Sequence, residues 1–347
     1  MKKIIAILIT LCLMLPAAMS FAQAEEEKIL NVFTWETYID DQTIANFEDL
    51  TGIDVVYSPF ASNEDMLQKL QMNGGSEYDI VLGSDYALSI LRKEGLLKEL
   101  DKSLLTNYGN LNPKYLSQYF DPENAYAIPY AAGTPLIVYD PEAVDIEITG
   151  YEDLWNPALK DSIVIMNDAR NVIGITLKTM GKSFNETDPE VLEDAKEKLM
   201  PLFQNIRAFD YDTPHQVLLS GDASVAYMFT PQVLWALDGN PNLKVVYPKE
   251  GMGFGIDALV VPVNAPHPGN AHLFLNYLME PQVAADVALA QLYLNPNQAA
   301  EALLPESYTQ NPALFIPDEV LGKTEFIQDV GETESLYQEI WAEFKLQ

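Results

Sequence analysis

From residue 29 onward the chain alternates short apolar runs with amphipathic ones, and this alternation limits the possible folds more than any other feature. Ile29–Trp35 is apolar enough for a buried strand. Residues 41–50 place Ile44, Phe47 and Leu50 on one helical face with Gly52 as the stop, and residues 54–57 read as a second strand. The pattern then repeats. Asn63 caps a helix carrying Met66, Leu67 and Leu70, the Asn73-Gly74-Gly75 run ends it, residues 78–82 form a third strand, and another helix stops at Gly95. Such alternation predicts an α/β protein with doubly wound, largely parallel sheets. After a loop around Pro129 a second series begins: residues 136–139, 163–166, 223–229 and 245–247 read as strands, with helices such as 191–203 between them. A strand over 258–263 and helices over 270–278 and 281–289 follow. There is no internal repeat, low-complexity tract or Pro/Gly/Ser-rich linker, so two lobes joined by crossing strands are expected rather than two domains on a tether.

The first 24 residues stand apart from this pattern. Lys2 and Lys3 precede an apolar run over 4–15 in which Thr10 is the one polar residue, and Ala22-Gln23-Ala24 gives the small-x-small cleavage signal of an exported protein. Pro16 and Ser20 break the run well short of the roughly 20 apolar residues that a membrane span needs. Cys12, the only cysteine, lies inside this segment behind Leu11, where lipid attachment would require a small residue. Cleavage after Ala24 leaves 323 residues without cysteine, which excludes disulfides, thiolate metal sites and a cysteine nucleophile. That length exceeds what a single core supports, again favouring two lobes. The cleaved chain carries 18 basic and 51 acidic residues, a net charge of −33, which repels nucleic acid and anionic membrane and attracts cations. A monomeric protein in the periplasm is expected.

In an open sheet of this class, ligands bind beyond the carboxyl ends of the strands. Trp35, Glu36, Thr37 and Tyr38 follow the first strand, Ser84, Asp85 and Tyr86 the third, and Asn167 and Asp168 the strand at 163–166; Phe229 ends a later strand and Asp257 precedes Ala258. Aromatics and carboxylates recur at these positions, and Arg170 is the exception among them. An ammonium ion entering such a crevice exchanges water for carboxylates and ring faces, each cation–ring contact contributing about 0.5–2 kcal/mol. Taken singly, each residue also has a plainer explanation. Trp35 suits a core, Asp168 suits a helix cap or a partner for Arg170, and Asp257 suits a sheet edge.

The order of these segments adds weight. Over nearly its whole length beyond residue 24, the chain resembles the periplasmic spermidine/putrescine-binding proteins of ABC importers. The resemblance rests on FTWETYI at 33–39, TGIDVVYSPFASNEDM at 51–66, YDIVLGSDY at 78–86, RKEGLLKELDKSLLTNYGNLNP at 92–113, NDAR at 167–170, YPKEG at 247–251 and YLNPN at 293–297. It implies the two-lobed periplasmic-binding-protein fold of type II with two crossing hinge strands. One lobe would comprise 28–138 plus 257–303, the other 139–256 plus 304–347. It further implies that Trp35, Tyr38, Ser84, Tyr86, Asp168, Asp257 and Tyr293 contact a small cationic amine, with Phe229 where the family usually has Trp. Glu36 joins them, although the family places its acid one position later, where this chain has Thr37. Permease subunits are the implied partners, and no cofactor, metal or catalytic residue is implied. Asn171 stands where spermidine binders carry an acid, Gly255 where they carry Trp, and Ile327 near their Gln. The departures leave open a shorter diamine, a bulkier amine or a quaternary amine.

Two other classes compete. A hydrolase would use paired carboxylates among Glu36, Asp85, Asp168 and Asp257, one of them with a raised pKa. A serine triad lacks its GxSxG elbow, and His215, His267 and His272 have no partners at useful spacing. A carrier of phosphate or ferric ion would call for arginines, main-chain nests or a tyrosine pair. Asn185-Glu186-Thr187 matches a glycosylation sequon.

Overall fold

A computed structural model describes residues 26–314 and 316–347, so the leader assigned to residues 1–24 lies outside the described residues. The chain begins with β1 (Ile29–Trp35), α1 (Asp41–Thr51), β2 (Asp54–Phe60), α2 (Asn63–Asn73), β3 (Ile80–Ser84) and α3 (Asp85–Lys93). Asp40 caps α1 by accepting the Thr43 amide, and Gly52 ends it in the left-handed region. Ser62, not Asn63, caps α2. This frees the Asn63 side chain for another task described below.

Next come β4 (Ala127–Gly133), β5 (Leu136–Tyr139), β6 (Ile163–Ile165), α4 (Ala169–Thr179) and α5 (Pro189–Leu199). Pro201 ends α5 earlier than the hydrophobic periodicity implies, and a 3₁₀ segment, Met200–Asn205, takes over. β7 (Ile206–Phe209), α6 (Pro214–Leu219), β8 (Val225–Met228), α7 (Thr230–Gly239), β9 (Lys244–Val246) and β10 (Gly253–Val260) follow. The chain then forms α8 (Pro268–Leu278), α9 (Pro281–Gln291), the short β11 (Glu325–Phe326) and a C-terminal helix, Glu334–Phe344.

The strands build two sheets. The first has the order β11-β10-β3-β1-β2 with β4 also paired to β10, and the second has the order β7-β6-β8-β5-β9. Side chains alternate faces with period two. Leu30, Val32, Ile80 and Leu82 face the layer containing Phe47, Phe274 and Tyr277, while Phe33 and Val81 face Met66, Leu70 and Leu91. In the second sheet Ile137, Ile163, Ile165 and Tyr227 pack against Phe184, Trp341 and Phe344, with Val138, Val164 and Ala226 on the other face.

The structure corrects three expectations. The sheets are mixed rather than largely parallel: β10 runs antiparallel to β3 and β4, and β5 antiparallel to β8 and β9. These two strands arrive directly from the other sheet rather than through a helical crossover, so the rule that makes βαβ units parallel does not govern them. The stretch around Pro129 is strand β4, not loop, and Pro129 sits opposite Ala258, where the register shifts, a place that tolerates the missing donor. Finally, β10 starts at Gly253 rather than residue 258, so Asp257 lies inside a strand.

The chain passes between the sheets at Thr134 and Pro135 and again over residues 247–252. The two passages are pinned together. The buried Thr134 hydroxyl donates to the Gly253 carbonyl at 2.6 Å, and the Thr230 hydroxyl donates to the Thr134 carbonyl at 3.0 Å.

Candidate functional site

The pairing of β10 with β3 sets Asp257 opposite Ser84, at the carboxyl end of β3. The Ser84 hydroxyl donates to Asp257 Oδ1 at 2.9 Å, and the Tyr38 hydroxyl donates to Oδ2 at 2.5 Å. Each donor is itself held. Asn63 Oδ1 accepts the Ser84 amide and its Nδ2 donates to the Ser84 hydroxyl, both at 3.2 Å. The Tyr38 amide donates to the Tyr57 hydroxyl, which donates to the Trp35 carbonyl, and the Tyr130 hydroxyl donates to the Tyr38 carbonyl. Thr37 makes the turn from β1 to Tyr38 with φ at +59°. Burial pushes the Asp257 carboxyl pKa up, and the two hydroxyl donors oppose that rise by stabilising the carboxylate.

Rings enclose this carboxylate. Trp35 stands edge-to-face with Tyr38 at 5.2 Å and with Phe60 at 4.9 Å, and Tyr38 lies 6.2 Å from Tyr293. Tyr293 fits because position 133 is glycine: a Cβ there would sit 2.9 Å from Tyr293 Cδ1. The Tyr308 hydroxyl donates to the Tyr293 carbonyl and fixes the segment from behind.

From the other sheet, Asp168 caps α4, Oδ1 accepting the Asn171 amide at 2.8 Å. The capping role and the proposed ligand role are compatible, because a carboxylate offers about four lone-pair directions and the Asn171 amide takes one of them. Burial raises the Asp168 pKa, opposed by the Asn171 contacts and by the charge of Arg170. Arg170 is nonetheless spent elsewhere: it bonds Glu334, Asn185 and the Gln328 carbonyl, and its guanidinium lies 4.7 Å from the Tyr337 ring. Phe229 stands edge-to-face with Tyr211 at 5.6 Å. The Tyr211 hydroxyl pKa is raised, chiefly by burial and then by the charges of Asp168, Asp257 and Asp212. Tyr211 is the residue missed in the sequence; it lies just past β7, a strand that the hydrophobic pattern did not reveal.

Other expected residues fall outside this group. Glu36 is exposed on the turn after β1. The Tyr86 hydroxyl donates to Glu64 at 2.8 Å. Asp85 is 2% exposed, and its oxygens accept the Tyr86 amide at 2.7 Å and the Ile256 amide at 3.1 Å. Its pKa is pushed up to about 8, chiefly by burial, with the charge of Asp257 adding to the rise. That is the raised carboxyl a hydrolase would need, yet it lies behind β10 bonded to main chain, out of reach of a substrate. The histidines are committed as well. His267 pairs with buried Asp79, His272 Nε2 accepts the Asp101 amide, and His215 packs against Trp235. The sequon residue Asn185 is bonded through its side chain to Arg170, Glu325, the Phe326 carbonyl and the Gln328 amide. Among the described residues no group of three or more His, Asp or Glu gathers as metal ligands.

Residues 42–316 match the bacterial extracellular solute-binding proteins. The chain belongs to that family. Among curated solute-binding proteins, the spermidine/putrescine-binding periplasmic protein of Salmonella typhimurium is 36% identical over 332 residues, 95% of each chain. A putrescine-binding periplasmic protein of Escherichia coli is 32% identical over 320 residues, 86% of each chain. The crystal structure of the spermidine/putrescine ABC transporter substrate-binding protein of Streptococcus pneumoniae superposes with a TM-score of 0.82. That alignment has 33% identity and covers 92% of this chain and 98% of the other. The two sheets are therefore the two lobes of the type II binding-protein fold. The Salmonella and Escherichia relatives are periplasmic binding proteins rather than enzymes, and no helix among the described residues is long and apolar enough to cross a membrane.

Proposed function

We propose that this protein is the extracytoplasmic capture subunit of an ABC importer and takes a polyamine of the putrescine/spermidine class. The observation that carries this reading is the pair of half-buried carboxylates, Asp257 and Asp168, on opposite lobes, whose pKa values burial raises, set among Trp35, Tyr38, Tyr211, Phe229 and Tyr293. Arg170, the base nearest to them in sequence, is already neutralised by Glu334. A buried carboxylate without a cation is costly, and a protonated amine supplies the missing charge while the rings cover its methylenes. Trp35, Tyr38, Ser84, Asp168, Phe229, Asp257 and Tyr293 are the proposed contacts, with Glu36 and Tyr86 at the mouth.

In this reading residues 28–138 plus 257–303 form one lobe and 139–256 plus 304–347 the other. Binding closes them about the passages pinned by Thr134, because an amine bridging both carboxylates has higher affinity for the closed form. The closed protein presents its ligand to permease subunits. Export with cleavage after Ala24 and a monomeric state complete the proposal. Calorimetry tests it: putrescine or spermidine is expected to bind with micromolar or tighter affinity, about −8 kcal/mol or more. Binding of glutamate or phosphate in place of amines would reject it.

A further inference from the structure

Resting on that reading, we infer that Tyr57, on the edge strand β2, is a positioning residue for amine capture: its hydroxyl clamps the turn that aims Trp35 and Tyr38 at the ligand space beside Asp257. The turn consists of Trp35, Glu36, Thr37 and Tyr38. Its direct closing bond, from the Tyr38 amide to the Trp35 carbonyl, is long at 3.3 Å. Its third residue is a threonine at φ +59°, a region that suits glycine and that a β-branched side chain holds only under constraint from its surroundings. The four residues therefore have little local reason to keep this shape.

The constraint comes from β2. Tyr57 lies opposite Val32 in the ladder between β1 and β2, and its half-buried ring packs in the layer that also holds Tyr38, Tyr130 and Tyr293. Its hydroxyl accepts the Tyr38 amide at 3.1 Å and donates to the Trp35 carbonyl at 2.5 Å, so one oxygen engages both groups that close the turn. A hydroxyl donates and accepts at once, and a phenylalanine ring in its place does neither. On the other side, the hydroxyl of the buried Tyr130 on β4 donates to the Tyr38 carbonyl at 3.0 Å, and Gln291 of α9 donates to the Thr37 carbonyl at 3.3 Å. The amide and the carbonyl of Tyr38 are thus each held by a tyrosine from a different strand.

The clamp fixes the surroundings of the carboxylate. Tyr38 donates to Asp257 Oδ2 at 2.5 Å, and burial together with the Asp257 charge raises the Tyr38 pKa well above its ordinary value, so the hydroxyl remains a donor. Trp35 stands edge-to-face with Tyr38 at 5.2 Å, and both rings are carried by the same turn. An O–H donor more than roughly 3.0 Å from its acceptor is outside the usual range, so a small loosening of the turn breaks the contact with Asp257. Tyr57 acts on the ligand through Tyr38 and Trp35.

The test is calorimetry of the purified protein with putrescine and spermidine, in a cycle of Tyr57→Phe, Tyr38→Phe and the double variant, with melting curves as a check on folding. Tyr57→Phe is expected to weaken binding of the amine that the wild type holds more tightly by about tenfold, and Tyr38→Phe by about as much. In the Tyr38→Phe background the Tyr57 change should cost no more than about threefold, the part carried by Trp35, because the hydroxyl it positions is gone. A general loss of stability would cost the same in both backgrounds. Trp35 emission, taken as the difference from Trp35→Phe, is expected to shift to longer wavelength in ligand-free Tyr57→Phe as the ring loosens. Tyr130→Phe gives a second route to the same result, a weakening that is again smaller in the Tyr38→Phe background. A wild type that binds amine while Tyr57→Phe keeps its affinity, keeps its Trp35 emission, or loses as much without the Tyr38 hydroxyl as with it overturns this inference and leaves the polyamine reading standing. Failure of a folded wild type to bind any amine overturns both.

Discussion

Replacing Asp257 with Asn separates charge from shape at the centre of the cleft. The amide oxygen still accepts one of the two hydroxyls, and the amide N–H can donate to the oxygen of the other, because a hydroxyl both donates and accepts. The Ser84 and Tyr38 contacts are thus retained in outline while the negative charge is lost. Removing one partner of a desolvated, hydrogen-bonded ion pair costs about 2–5 kcal/mol. At roughly 1.4 kcal/mol per decade this is a loss of about 30-fold to several thousand-fold in amine affinity. The ligand-free protein should melt no earlier than the wild type, because burial already disfavours the charge that the variant lacks. A second readout follows from the sign of the pKa shift. Asp257 and Asp168 both have raised pKa values in the free protein, so amine binding, which stabilises the carboxylates, releases protons. Wild-type affinity should fall as pH is lowered through those raised values, and the Asn variant should show the shallower fall. Calorimetry between pH 5 and pH 8, in two buffers with different ionisation heats, gives affinity and proton release together. An Asn variant within threefold of wild-type affinity, or with the same proton release, would refute the reasoning.

Asp85 should govern the pH dependence of stability. Its pKa is raised from 3.8 to about 8, so the stability contributed by its protonated form is complete below about pH 4 and lost as pH rises through about 8. At roughly 1.4 kcal/mol per unit this is several kcal/mol. Denaturation midpoints of the wild type should therefore decline over that window more steeply than those of Asp85→Asn, and parallel profiles would exclude the assignment. Thr134→Val removes the hydroxyl that pins the two passages and leaves the Gly253 carbonyl without that donor. Chemical denaturation is expected to show a loss of about 1–3 kcal/mol, and an unchanged midpoint would mean that the pin contributes nothing.

The hydrophobic periodicity made the α/β class and most helices legible, because buried faces leave a repeating trace in the chain. It failed where the trace is absent. Gly253 and Gly255 gave β10 too few side chains to register as a strand, and Pro129 disguised β4, although an irregular register tolerates proline there. The cluster of Tyr38 and Ser84 around the Asp257 carboxylate was reachable because these residues follow or flank readable strands. Asp85 and Tyr211 were not separable in the same way. Adjacent to Ser84 in the chain, Asp85 turns to the main chain of β10, an outcome set by side-chain direction rather than by position. Tyr211 depends on Gln232, 21 residues later, reaching back to hold its loop, and such long-range contacts leave no local pattern.

The pin at Thr134 also has a bearing on signalling to a transporter. Thr230, which completes the pin, is the immediate neighbour of Phe229, so in the proposed reading the pivot between the lobes and one wall of the ligand site would share a peptide bond. A guest that displaced that wall would act directly on the pivot. On that reading, occupancy would be converted into a change in the angle between the lobes without a relay of intermediates.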